Sequence, residues 1–222
     1  MPTHEDVDSF LTETLVGHDP AGDAALQAQH DAGLPAIEVA AVNAKFLHLL
    51  TRIAGASRVL EIGTLGGYST IWFARAVGPH GCVVTIEAES SNAEIARANL
   101  ERAEVADRVE VRVGRGVDVL PTLEGQDPFD LVFIDADKES NELYLDWAAR
   151  LGRAGTVVVL DNVVRAGEVA DPDTADPKVQ GARRGILMLG TDPRFDATAL
   201  QTLDRKGWDG VALAIVVDPR ST

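Results

Sequence analysis

The sequence predicts an α/β fold built on one mostly parallel sheet, and three features support this class. Residues 58–77 form an apolar run of strand length, a glycine turn and an apolar helical segment. After them, strand-like and helix-like segments alternate, which is typical of a parallel sheet with helices on both faces. Near the C-terminus, an alternating segment, a turn and an apolar run indicate an antiparallel hairpin. Such sheets bind ligands beyond the carboxyl ends of their strands.

Composition limits the possible functions. The chain has 222 residues, 45% of them hydrophobic, so we expect a single domain over residues 1–222. A net charge of −15 argues against a nucleic-acid partner. The one cysteine, Cys82, excludes an intrachain disulfide, and we expect it to be a small buried residue. No apolar run approaches the roughly 18 residues of a membrane span, and no signal segment is present, which predicts a cytoplasmic protein without a membrane partner.

The N-terminal segment, residues 1–55, is predicted to be helical. Thr3 and Asp6 have the spacing of a capping box ahead of an apolar helical face, and residues 17–20 end this first helix. A second helix follows, and a longer third helix carries its apolar stripe over residues 37–53. These helices fit a lid, a dimer interface or a substrate-binding region, and they fit ordinary packing on the sheet equally well.

The first strand leads into a glycine turn with the spacing G-x-x-G-G, at Gly63, Gly66 and Gly67. Glycines permit positive φ angles and let backbone NH groups approach a ligand closely. The second predicted strand, residues 83–86, ends at Glu87, which can accept hydrogen bonds from both hydroxyls of a ribose. These features predict a nucleoside-containing cofactor, although the turn can also simply close a strand-helix corner. Because the G-x-G-x-x-G of a dinucleotide site is absent, a nicotinamide dehydrogenase is disfavoured.

The rest of the chain repeats the strand and helix pattern. Further helices are predicted at residues 91–103, 141–151 and 179–189, and further strands at residues 109–113, 129–134, 156–160, 197–203 and 211–217. The third strand is followed by a second glycine-bearing segment, Gly114, Arg115 and Gly116. This exit either contacts a nucleobase through its backbone or is a plain turn.

Oxygen-bearing side chains follow the fourth and fifth strands. Asp135 ends the fourth strand, and Asp161 with Asn162 ends the fifth. Two carboxylates and an amide oxygen suit Mg²⁺, Mn²⁺ or Ca²⁺, although acids at strand ends often only cap the next helix. Lys138 lies just past Asp135. A nearby cation would disfavour its ammonium form and suit it to act as a general base, whereas its position alone favours a solvated surface lysine.

Three ordered motifs carry a family resemblance: EIGTLGGYS at residues 61–69, FDLVFIDADK at residues 129–138 and VVVLDNVV at residues 157–164. They resemble the cation-dependent O-methyltransferases of the catechol and caffeoyl-CoA type, and the resemblance runs from about residue 35 to residue 217. It implies a Rossmann-like class I methyltransferase fold with seven strands and a C-terminal antiparallel hairpin. It also implies S-adenosylmethionine as cofactor, a small aromatic hydroxyl substrate and a homodimer.

The resemblance implies roles for individual residues. Asp135, Asp161 and Asn162 would bind a divalent cation, with Mg²⁺ the first choice and Mn²⁺ or Ca²⁺ as alternatives. Lys138 would be the catalytic base beside Asp135, and Glu87 would hold the ribose. The other residues that would bind the cofactor are Ile37, Val39, Glu61, Gly63, Gly67, Tyr68, Ser69, Gly116, Asp135 and Asp137.

The expected reaction is methylation of one hydroxyl of a catechol, and two departures from the family bear on the acceptor. Asp137 stands where animal catechol enzymes have an aromatic residue, and the stretch before the fourth strand is shorter than in plant CoA-ester enzymes. The loop at residues 167–177 is acidic and would repel the phosphates of a CoA ester, which favours an uncharged or cationic catechol, although Arg165, Arg183 and Arg184 lie near it in sequence. The alternatives are a CoA-ester or other non-catechol acceptor, and a catalytically silent cofactor-binding module.

Overall fold

Seven strands form one mixed sheet in the computed structural model, which describes residues 1–218. The strands are β1 (Arg58–Ile62), β2 (Cys82–Glu87), β3 (Val109–Val113), β4 (Leu131–Ile134), β5 (Val157–Asp161), β6 (Phe195–Asp204) and β7 (Gly207–Val216). Their order across the sheet is β3-β2-β1-β4-β5-β7-β6. The first five strands are parallel, and β7 runs antiparallel to both β5 and β6. The predicted parallel sheet with a C-terminal antiparallel hairpin is therefore confirmed.

Helices cover both faces of this sheet. Within the described residues they are α1 (His4–Leu11), α2 (Pro20–Asp31), α3 (Ala41–Ile53), α4 (Tyr68–Val77), α5 (Ser90–Arg102), α6 (Gly116–Val119), α7 (Asn141–Leu151) and α8 (Pro177–Thr191). The predicted capping box starts α1, where Thr3 and Asp6 exchange hydrogen bonds. The side chains of β1 alternate between two cores, so Leu60 packs in the same core as Tyr144 of α7, and Val59 in the same core as Phe73 of α4.

Some predicted boundaries are wrong by a few residues. The third helix begins at Ala41 and does not include Ile37, which is 63% exposed in an irregular segment. The side chain of Lys206 donates to the carbonyl oxygens of Ile37 and Glu38, so this segment is tied to the β6–β7 turn instead of to a helix. Cys82 is only partly buried, because it is the first residue of β2.

The C-terminal hairpin is longer and tighter than predicted. Pairing runs from Phe195 opposite Val216 to Asp204 opposite Gly207, which leaves only residues 205–206 as the turn. The polar residues of the predicted turn, 204–210, belong mostly to paired strand. The alternating segment from which the hairpin was predicted, residues 197–203, lies inside β6, most of which is exposed.

The strand order reverses between β1 and β4, at the centre of the sheet. Ile62 pairs with Ile134 at the carboxyl ends of the two strands, and the backbone NH of Asp135 donates to the carbonyl oxygen of Ile62 at 2.8 Å. Segments that leave these strands diverge to opposite sides and open a crevice, which is the ordinary ligand position in such sheets. Among residues 1–218, no helix has the length and apolar character needed to span a membrane.

Candidate active site

A cavity of about 660 Å³ lies at the carboxyl ends of the central strands. This volume is within the usual range for small-molecule sites. Its walls come from the segments after β1, β2, β3, β4 and β5, from the irregular segment before α3, and from α2 and α8. The predicted site residues that line it are Ile37, Val39, Gly63, Tyr68, Ser69, Glu87, Gly116, Asp135, Asp137, Lys138 and Asn162.

The glycine turn after β1 folds around the carboxylate of Glu87. The backbone NH groups of Leu65 and Thr64 donate to its Oε2 at 2.7 and 3.3 Å. Its Oε1 accepts from the backbone NH of Glu89 and from the side chain of Asn92, at 3.0 and 3.2 Å. With four donors on the carboxylate, ribose hydroxyls would have to share or replace some of these bonds. Glu87 therefore also orders the turn.

Gly63 requires glycine for two reasons. Its φ angle is 101°, a region that side chains rarely adopt. A Cβ atom there would also overlap the carbonyl oxygen of Asp135. The turn after β1 thus lies directly against the segment after β4, and this close approach brings the two walls of the cavity together.

Of the two other glycines predicted to bind the cofactor, Gly116 and Gly67, the structure places the first on the cavity wall and the second away from it. Gly116 lines the cavity, and a Cβ atom there would overlap the ring of Tyr144. The hydroxyl of Tyr144 donates in turn to the carboxylate of Asp137. Gly67 does not line the cavity: it is the N-cap of α4, with φ 84°, and it packs on Ala96 of α5.

The structure also does not bring Glu61 to the cavity. Its side chain is fully buried behind the turn, where its carboxylate accepts hydrogen bonds from the hydroxyls of Ser69, Thr70 and Thr85 at 2.5, 2.5 and 2.7 Å. Burial raises the pKa of Glu61 to about 7. Because Ser69 and Thr70 start α4, Glu61 acts on the site by positioning that helix.

We predict that Glu61→Gln flattens the pH dependence of stability. The pKa of Glu61 rises from 4.5 in the unfolded chain to about 7 in the folded protein. The folded protein therefore retains a proton that the unfolded chain has released, and this stabilisation is complete below pH 4.5 and is lost as the pH rises through 7. The loss amounts to about 3 kcal/mol. Urea unfolding in metal-free buffer between pH 5 and 8 measures it.

The matched control for this measurement is Glu94→Gln, because Glu94 is exposed on α5. We expect this control to follow the wild type, whereas Glu61→Gln retains more of its low-pH stability at pH 8. The three hydroxyls around Glu61 can rotate to suit an amide, so the variant keeps its hydrogen bonds. Equal slopes for the wild type and Glu61→Gln would contradict the assignment.

The predicted metal and base residues meet at the adjacent ends of β4 and β5. Lys138 is 6% exposed, and its Nζ donates to Oδ1 of Asp135 at 2.7 Å, so it is not a solvated surface lysine. Asn162 lines the cavity with φ 58°, a left-handed conformation that asparagine tolerates. Oδ1 of Asp161 accepts from the backbone NH of Asn162 at 2.8 Å. Asp161 is partly buried next to these cavity-lining residues.

This set of oxygens fits a hard divalent cation. Burial raises the pKa of Asp161, and the neighbouring carboxylate of Asp135 raises it further, whereas Lys138 lowers it. Two carboxylates that repel each other in a partly buried site gain from a shared positive charge. Among the described residues, no three histidine, cysteine, aspartate or glutamate side chains cluster as a metal site. A cation bound beside Asp135 and Asp161 would take a third oxygen from the amide of Asn162.

Among the cavity-lining residues that the sequence does not predict as part of the site, Gln29 and Arg165 are notable for their polar side chains. Gln29 of α2 is 3% exposed, it packs over Gly66, and its Oε1 has no hydrogen-bond partner among residues 1–218. Arg165 lines the cavity three residues after Asn162. No pattern separates Gln29 from the other polar residues of its helix. For Arg165, the sequence offered one signal: it follows Asn162, a predicted metal ligand, by three residues.

Comparison with known proteins agrees with this geometry. A family model described as O-methyltransferase matches residues 24–215. A catechol O-methyltransferase from Mycobacterium tuberculosis is 59% identical over 217 residues, which is 97% of each chain. A catechol O-methyltransferase from Niastella koreensis is 46% identical over 214 residues, 96% of this chain and 97% of its own. The structure of the O-methyltransferase TomG from Streptomyces achromogenes, in complex with SAM, is 49% identical with a TM-score of 0.93, covering 97% of each chain.

The sheet order and the cavity beyond β1 define a class I methyltransferase that uses S-adenosylmethionine. The chain belongs to the O-methyltransferase family, and its activity is O-methyl transfer. The resemblance and the fold predicted from the sequence are thereby confirmed.

Proposed function

We propose that this enzyme methylates one hydroxyl of a catechol-like, vicinal dihydroxy aromatic acceptor and requires a divalent cation, Mg²⁺ in the first place. The observation that carries this proposal is the buried ion pair of Lys138 and Asp135 at the cavity edge, beside Asp161 and Asn162. The two relatives named catechol O-methyltransferase support the acceptor class.

The proposed division of labour follows from the residue types. Asp135, Asp161 and Asn162 would hold the cation through their side-chain oxygens. A bound divalent cation would lower the pKa of a hydroxyl that it contacts and orient both acceptor oxygens. Once unprotonated, Nζ of Lys138 would accept the hydroxyl proton, and the contact of Lys138 with Asp135 would keep this nitrogen near the proposed metal ligands.

We place S-adenosylmethionine in the part of the cavity between the glycine turn and Gly116. Glu87 would hold the ribose, and Gly116 would lie near the adenine. The methionine end would lie along Gly63, Tyr68 and Ser69, with Ile37, Val39 and Asp137 closing the cavity around the cofactor. Glu61 and Gly67 support this site from behind the turn instead of lining it.

We further propose that the chain is one cytoplasmic domain that assembles as a homodimer. The N-terminal helices leave large apolar side chains exposed: Val7, Phe10 and Leu15 are 50, 64 and 62% exposed. Val7 and Phe10 are three residues apart on α1 and therefore share one helix face, and an exposed apolar face suits an interface. Size-exclusion chromatography with light scattering should give twice the 23.6 kDa chain mass, and a monomeric mass would contradict the dimer.

The acceptor proposal is tested with matched acceptors. Transfer of labelled methyl from S-adenosylmethionine should be fast to catechol and slow to phenol and guaiacol, because these offer only one free hydroxyl. Caffeoyl-CoA in the same panel tests the CoA-ester alternative. Equal rates with phenol and catechol would contradict a vicinal diol acceptor. Cofactor binding without transfer to any of these acceptors would contradict the proposed acceptor class and indicate a different hydroxyl acceptor.

A further inference from the structure

A second, smaller cavity adjoins the active-site cavity. Its volume is about 240 Å³, and Arg165 lines both cavities. The guanidinium of Arg165 makes no hydrogen bond or ion pair within the described part of the chain, and its Nε is buried without a partner. An unpaired buried donor of a cationic group is unfavourable unless a ligand completes its hydrogen bonds. The side chain thus presents an unused anion-binding group at the junction of the two cavities.

We propose that Arg165 binds a carboxylate substituent on the acceptor ring, so that the preferred substrates are acidic catechols such as dihydroxybenzoates. This inference rests on the proposed function. It reverses the expectation of an uncharged or cationic catechol that the acidic loop suggests. An arginine fork matches a carboxylate with two parallel hydrogen bonds, which gives specificity as well as affinity.

The position of Arg165 fits this role. It lies three residues after Asn162, so at most about 11 Å of chain separates the two Cα atoms. Lys138, Asn162 and Arg165 line the same cavity, so an acceptor ring with its oxygens at Asn162 and Lys138 would share that cavity with Arg165. The second cavity provides room for a substituent there.

Most other charged groups of the second cavity are already engaged. Oδ1 of Asp209 accepts from the backbone NH groups of Val164 and Arg165, at 3.1 and 3.0 Å. Asp176 caps the start of α8. Nζ of Lys206 donates to backbone carbonyl oxygens. Of the charged side chains that line this cavity, those of Arg165 and Glu168 alone lack a partner within residues 1–218.

The two other arginines near the acidic loop do not share this role. The guanidinium of Arg183 donates to the carbonyl oxygen of Val169 at 2.8 Å. Arg184 pairs with Glu142 at 2.9 Å, and neither arginine lines either of these two cavities. Because the chain carries a net charge of −15, an anionic acceptor needs a dedicated cation to offset long-range repulsion. Arg115 and Arg165 are the arginines that line the active-site cavity, and of these two Arg165 alone also lines the second cavity.

The test compares kcat/KM for 3,4-dihydroxybenzoate and its neutral isostere 3,4-dihydroxybenzamide. We expect the wild type to prefer the acid and Arg165→Gln to lower the acid-to-amide ratio by roughly tenfold to a hundredfold. Arg165→Lys should give an intermediate ratio, because it keeps the charge and loses the fork. Arg184→Gln is the charge-matched control and should keep the wild-type ratio. Cofactor binding by Arg165→Gln verifies that it is folded.

Each outcome decides between the inference and the function on which it rests. An acid-to-amide ratio that Arg165→Gln leaves unchanged overturns the role of Arg165 while the catechol activity stands. An equal fall of the ratio in Arg184→Gln also overturns it, because the effect would then come from net charge. Failure of the wild type to methylate either compound overturns the proposed function, and the inference with it.

Discussion

Asp161→Asn is expected to reduce catechol methylation by at least about a thousandfold, since a bound cation contributes several kcal/mol to such a reaction. The substitution keeps the shape of the side chain and an acceptor for the backbone NH of Asn162, and it removes one of the two carboxylates proposed to hold the cation. The affinity for S-adenosylmethionine should be nearly unchanged, because Asp161 does not line the cofactor cavity. Turnover assays and calorimetric titration with cofactor measure the two effects separately.

The control for this substitution is Asp127→Asn, which makes the same change of charge at an exposed residue before β4. It should retain wild-type activity and Mg²⁺ dependence. An Asp161→Asn enzyme with activity near that of the wild type would remove Asp161 from the proposed metal site. A parallel loss of cofactor binding would indicate a structural role for Asp161 instead.

Lys138→Met should lower kcat by about a hundredfold to ten-thousandfold, which is the usual contribution of a general base. Methionine is of similar length but cannot accept a proton. Binding of Mn²⁺ and of S-adenosylmethionine should persist, because the proposed metal oxygens and the cofactor cavity stay in place. The measurement is kcat at saturating acceptor and metal, together with calorimetric titration of Mn²⁺.

Lys45→Met is the matched control, since Lys45 contacts the ring of Trp72 and does not line either cavity. This variant should be fully active. If Lys138→Met turns over at the wild-type rate, Lys138 is not the base. If it loses Mn²⁺ binding together with activity, its ion pair with Asp135 organises the metal ligands and a base role is unsupported.

The centre of the sheet could be predicted from the sequence because β1, β2, β4 and β5 are largely buried and consist of short apolar runs. The ends of these runs also located Glu87, Asp135 and Asn162, since parallel strands deliver the residues that follow them to one edge. The same local reasoning placed Lys138 near Asp135. Its burial depends on tertiary packing, in which α8 lies against the segment from Lys138 to Ser140.

Other site features could not be read from local pattern. Glu61 belongs to the same motif as Gly63, but its side chain does not reach the cavity. Side chains alternate along β1, so Glu61 points to the face opposite that of Ile62, and this face is covered by α4. Gln29 reaches the cavity because α2 packs against α4 and α5, a contact between distant parts of the chain. The start of α3 was misplaced because Lys206, in the C-terminal hairpin, holds the preceding segment out of the helix.

Dependence of catechol methylation on a divalent cation tests the central claim most directly. The enzyme, treated with EDTA and then dialysed, would be assayed for transfer of labelled methyl from S-adenosylmethionine to catechol with and without added Mg²⁺. We predict no transfer without metal, full recovery on addition of Mg²⁺, and cofactor binding that is equal in both conditions. Undiminished transfer in the presence of EDTA would contradict the role proposed for Asp135, Asp161 and Asn162.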